Sequence, residues 1–120
     1  MSDRKSVMIR RYRMEGSMDE LMRTVDVQFA RQIEAMGGGA SAAAVQVPPG
    51  IVSYQAVRTG PDTLLTITVF ESAVHLERAQ QGARQIRESL AAFAVEEVDT
   101  ISGEVVISRA TSAALDPVRP

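Results

Sequence analysis

The 120-residue chain has no cysteine, no tryptophan and a single histidine. The first absence removes disulfides, thiolate nucleophiles and Cys-ligated metals. One imidazole also rules out a His-rich metal site, so no metal is expected. Aromatic residues are few, two tyrosines and three phenylalanines. Thirteen basic against fifteen acidic residues leave a net charge of −2. An acidic balance with few rings does not make a nucleic-acid platform, which needs a basic face and stacking surfaces. No window approaches the roughly eighteen apolar residues of a membrane span. The opening Met-Ser-Asp-Arg-Lys-Ser lacks the apolar stretch of a secretory signal. The expected partners therefore exclude nucleic acid and membrane, and the expected location is the cytoplasm.

What is present is an ordinary globular composition. Apolar residues make up 45 % and charged residues 23 %, which separates the chain from disordered sequences. The length fits one domain, expected over residues 1–109. Residues 110–120 show no periodicity and contain two prolines, so a flexible tail, or one packed on a partner subunit, is expected there.

Residues 6–13 alternate as a strand, with Val7 and Ile9 on one face and Met8, Arg10 and Tyr12 on the other. Ser17-Met18-Asp19-Glu20 fits a capping box. Leu21, Val25, Phe29, Ile33 and Met36 then recur at helical spacing, predicting about 19 residues of amphipathic helix ended by Gly37. Residues 37–50 form a long small-residue connection closed by Pro48-Pro49-Gly50. Residues 51–58 and 63–70 read as strands joined by a turn at 59–62, a hairpin. Ser72 caps a second helix, with Leu76, Ala79, Ala83, Ile86, Leu90 and Phe93 on its apolar side. Gly82, with Ala79 and Ala83, suggests a patch where another element approaches closely. Residues 103–109 read as the fourth strand, and Glu96, Glu97 and Asp99 as a solvated acidic linker before it.

The order β-α-β-β-α-β with right-handed crossovers gives an α+β, ferredoxin-like fold, a four-stranded antiparallel sheet with both helices on one face. The third strand is apolar on both faces. Its row Leu65, Ile67, Val69 would be left bare, and a contiguous bare patch of that kind marks an interface. A second copy of the same chain, packed sheet to sheet through this open face, is the expected partner.

On this strand pattern the chain resembles the dimeric α/β-barrel superfamily, and within it the antibiotic-biosynthesis-monooxygenase type of domain. The resemblance rests on Val7-Met8-Ile9-Arg10-Arg11-Tyr12, on Pro49-Gly50-Ile51, on Thr66-Ile67-Thr68-Val69-Phe70-Glu71-Ser72 and on Gly103-Glu104-Val105-Val106-Ile107. It implies a ligand cleft between helices and sheet, faced by Thr66, Thr68 and Phe70. Haem-degrading members are similar around the third strand but carry Trp where Phe70 stands and Asn on the first strand. Both departures speak against haem degradation, and no cofactor is expected.

The residues able to carry chemistry are few. His75 falls on the buried side of the second helix and is a candidate cleft base or donor, against a structural His satisfied by a backbone group or Glu71. Tyr12 and Tyr54 place phenols on strands, either orienting a ligand or packing. Met22 and Phe29 suit the wall of a cleft for a flat apolar molecule. Arg10-Arg11-Tyr12-Arg13 can hold an anion, but the plainer reading is a solvated strand end paired with acidic neighbours. Two functions follow: a cofactor-independent monooxygenase acting on a small apolar or aromatic molecule, or a non-catalytic homodimeric module that binds a small molecule or a partner.

Overall fold

The computed structural model describes residues 4–35, 47–116 and 118. Strand β1 spans Ser6–Arg13, helix α1 Met18–Ala35, β2 Ile51–Arg58, β3 Thr63–Phe70, helix α2 Ala73–Ser89 and β4 Glu96–Glu104. The strands form one antiparallel sheet in the order β2-β3-β1-β4. This is the ferredoxin-like arrangement the sequence predicts. Among the described residues no helix is long and apolar enough to cross a membrane.

Local chemistry sets the element ends. The Glu20 amide donates to Ser17 Oγ at 3.2 Å, which caps α1, and Asp19 and Glu20 fall in its first turn, where carboxylates suit the positive helix end. The end of α1 at Gly37 and the connection from 36 to 46 lie outside the described residues. Pro48 accepts the amide of Ile51 at 3.2 Å, and Gly50 between them takes φ +90°. The 59–62 turn is closed by the Thr59 amide on the Thr63 carbonyl at 3.1 Å.

Three expectations are corrected. The fourth strand is Glu96–Glu104, not 103–109. Its pairing with β1 decides this, with Ile9 opposite Ile101 and Arg13 opposite Glu96. Only the Val105 amide continues the ladder, donating to the Lys5 carbonyl, while Val106 and Ile107 stand exposed. The acidic residues are therefore strand, not linker, and alternation separates them: Glu97 lies opposite Tyr12, whereas Asp99 and Glu96 lie opposite Arg11 and Arg13. Second, α2 stops at Ser89, and Phe93 closes a separate 3-10 turn, Ala91–Phe93. Third, among the described residues no element packs on Gly82; a Cβ built there meets nothing within 4 Å, and the residue lines a cavity.

Strand alternation sorts the sheet into two faces. Met8, Arg10, Tyr12, Leu64, Thr66, Thr68 and Phe70 point toward the helices. Val7, Ile9, Leu65, Ile67, Val69 and Ile101 share the opposite face, as their register shows. The core on the helix side is split in two. One cluster joins Met14, Met18, Leu21, Leu64 and Leu90. The other joins Met8, Phe70 and Leu76. The tail carries one 3-10 turn, Ser112–Leu115.

Candidate functional site

Between those two clusters the helices stand off the sheet and leave a cavity of about 790 Å³. This lies in the range of small-molecule sites. Tyr12, Thr66, Thr68 and Phe70 line it from β1 and β3, Tyr54 from β2, Met22 and Phe29 from α1, and His75 from α2. Every candidate site residue read from the sequence thus reaches one space. The even-numbered positions of β1 and β3 supply its floor because alternation sends them all to the helix side.

The polar groups are sparse and differ in what they can do. Tyr54 packs against Phe29 with ring centroids 4.6 Å apart and planes tilted by 49°. Burial, and secondarily the nearby Tyr12 phenol, raise its pKa above the ordinary phenol value. Desolvation penalises the phenolate, so Tyr54 stays protonated. It can donate a hydrogen bond to a ligand oxygen and is a poor base.

His75 is placed by the cap of its own helix. Ser72 is buried at the N-terminus of α2. Its Oγ lies 3.4 Å from the His75 amide and 2.8 Å from His75 Nδ1. The hydroxyl oxygen accepts the amide and keeps one proton and one lone pair, so it donates to a bare Nδ1 or accepts from a protonated one, as the ring tautomer dictates. With Nδ1 bare the ring proton sits on Nε2, which faces Glu71 Oε2 at 3.7 Å. In that tautomer His75 can offer the Nε2 proton to a ligand in the cavity. Glu71 also lines the space and supplies an acceptor. Gly50 holds the ring from the other side: a Cβ there would come within 2.6 Å of His75 Cδ2. Only glycine satisfies both that approach and the positive φ.

The run Arg10-Arg11-Tyr12-Arg13, whose plainer sequence reading is a solvated strand end, contributes a buried member to the site. Arg10 lines the cavity, with its side chain only 16 % exposed. Its Nε lies 3.3 Å from Glu97 Oε1 on β4. The distance makes an ion pair, but the direction does not make a hydrogen bond, and the buried Nε has no hydrogen-bond partner. In sequence Arg10 sits inside a charge run and Glu97 lies 87 positions away, so local spacing could not join them. Among the described residues no group of three or more His, Asp or Glu side chains is placed to hold a metal.

No family model and no curated protein matches the chain. Solved structures do. SnoaB from Streptomyces nogalater, a cofactor-independent oxygenase, superposes with a TM-score of 0.56 at 16 % identity, covering 91 % of this chain and 97 % of SnoaB. A protein of unknown function from Nitrosomonas europaea gives 0.55 at 11 %, covering 93 % and 99 %. A candidate antibiotic biosynthesis monooxygenase from Chloroflexus aurantiacus gives 0.52 at 14 %, covering 88 % and 97 %. At these identities the likeness is one of fold. The antibiotic-biosynthesis-monooxygenase-like fold expected from the strand pattern is the fold observed.

Proposed function

We propose that the protein is a cofactor-independent oxygenase of a flat, largely apolar molecule bound between helices and sheet. The observation that carries this reading is the cavity itself. It is open, walled by Met, Phe, Leu and Tyr side chains, and has a hydrogen-bond donor and an acceptor on one wall, His75 and Glu71. The fold shared with SnoaB, an oxygenase described as needing no cofactor, supports it.

In the proposed reaction the substrate is a weak carbon acid whose CH2 is conjugated through aromatic rings with a ketone, as in anthrone. Glu71 takes the proton. The developing oxyanion is held by the Nε2–H of His75, a charge-assisted hydrogen bond. The electron-rich anion reacts with dioxygen directly. The CH2 becomes C=O, one oxygen atom enters the product, and the other leaves as water with the two hydrogens. Tyr54 remains protonated and orients the ring system.

The same reading includes a homodimer. Val7, Ile9, Leu65, Ile67 and Val69 lie side by side on the sheet face that carries no helix, and Ile101 extends the row. A self-complementary apolar face suits a second copy of this chain related by a two-fold axis. At about 25 cal/mol per Å² of buried apolar area, an interface of standard size is strongly favourable.

Purified protein supplied with anthrone in air should take up oxygen above the buffer rate. His75→Ala should lower that uptake by at least about tenfold, as expected when one oxyanion donor is removed. Uptake that equals the buffer rate overturns the oxygenase reading. If anthrone then still binds, the cavity is a non-catalytic binding site.

A further inference from the structure

Arg10 raises a separate question, because a largely buried guanidinium is an odd lining beside the methionines, leucines and rings of this space. Its side chain is largely buried and reaches the cavity from β1. The Nε proton has no hydrogen-bond acceptor. Glu97, the nearby carboxylate, offsets the charge from 3.3 Å but approaches off the donor direction. A buried donor left without an acceptor is destabilising, and native structures seldom keep one without a use. Arg78 also lines the space from α2, adding a second positive group. Glu71 stands with His75 at the end of the cavity where Gly50 packs. Arg10 lies further along the floor, opposite Thr66 in the register.

We infer that the ligand of this cavity is an acid: a flat apolar body carrying a carboxylate that Arg10 binds through its unpartnered Nε–H. A planar fork of N–H donors matches a carboxylate better than any other common group. Glu97 is the placeholder that keeps the guanidinium folded against the wall when no acid is bound. This assignment rests on the reading of the cavity as a substrate site and narrows its substrate class. Anchored at Arg10, such a molecule lies with its far end toward His75 and Glu71.

The test is calorimetric titration of the full chain with anthraquinone-2-carboxylate and with its neutral isostere anthraquinone-2-carboxamide. The unmodified protein should bind the carboxylate at least about tenfold more tightly, the lower end of what a charge-assisted hydrogen bond contributes. Arg10→Met should bring the two affinities together while leaving carboxamide binding in place. Glu97→Gln, which frees the guanidinium without emptying the site, should widen the preference beyond that of the unmodified protein. Equal affinities in the unmodified protein, or a preference that survives in Arg10→Met, overturn the assignment. If Arg10→Met does not fold, Glu97→Gln decides, and a preference no larger than the original overturns it. Carboxamide binding and oxygen uptake without a carboxylate preference sink this inference and spare the oxygenase reading. Failure of both probes to bind sinks both.

Discussion

Gly50→Ala tests whether the turn before β2 is built around the His75 ring. The backbone there sits at φ +90°, a conformation that costs an L-residue about 1–2 kcal/mol. The added Cβ would lie 2.6 Å from His75 Cδ2 and 3.3 Å from Cγ, so the ring must move. Moving it strains or breaks the 2.8 Å contact to Ser72, which contributes about 0.5–1.5 kcal/mol. The smaller entropy of the alanine-containing unfolded chain returns about 0.4–1 kcal/mol. The expected loss in urea unfolding is therefore about 2 kcal/mol, with an unchanged slope. The ring's share is separable, because His75→Ala removes the obstacle and leaves only the backbone cost. In that background Gly50→Ala should cost about 1 kcal/mol, giving a coupling of about 1 kcal/mol between the two positions. Additive losses, with a coupling below about 0.3 kcal/mol, would refute the argument that glycine is required by the ring.

Three other outcomes are expected. The Tyr54 pKa is raised in the folded state, so the stability this group contributes is complete below the ordinary phenol value of about 10 and is lost as pH climbs toward the folded value. Absorbance near 295 nm should show one tyrosine ionising only with alkaline unfolding, and Tyr54→Phe should abolish that late component; a late component that persists would refute the assignment. Ala94 closes the 3-10 turn at φ 48°, ψ 46°, so Ala94→Gly should stabilise the fold by about 0.5 kcal/mol in thermal or urea unfolding, and a loss of stability would count against strain there. Light scattering at micromolar concentration should give twice the mass of one chain, and Ile67→Glu, on the helix-free face, should halve it; a single-chain mass for the unmodified protein ends the dimer proposal.

The strands and helices that alternate or repeat clearly were readable in the sequence. Thr63–Phe70 is almost entirely β-branched, leucine or aromatic, and Ser17 with Glu20 marks the start of α1 within one residue. The fourth strand was not readable, for a physical reason. Glu96–Glu104 is an edge strand, and edge strands carry charges that discourage further pairing. Such a segment looks like a linker, while the apolar Val105-Val106-Ile107 beside it looks like a strand. The site was legible to the same degree. Alternation places Tyr12, Thr66, Thr68 and Phe70 on one floor, and the helical wheel turns His75 inward. Arg10 and Glu97 were missed as a pair because their meeting depends on the bulged β1–β4 register between Arg11 and Tyr12, which no local pattern encodes.

The split core has a practical consequence. A domain of this length normally fills its middle with side chains, and here much of that volume is left to whatever enters it. A guest that fits supplies packing the chain does not provide for itself, so occupancy and melting temperature must rise together. A compound present at one hundred times its dissociation constant adds about 2.7 kcal/mol to the unfolding free energy. A thermal-shift screen of small planar compounds can thus rank guests before any reaction is known.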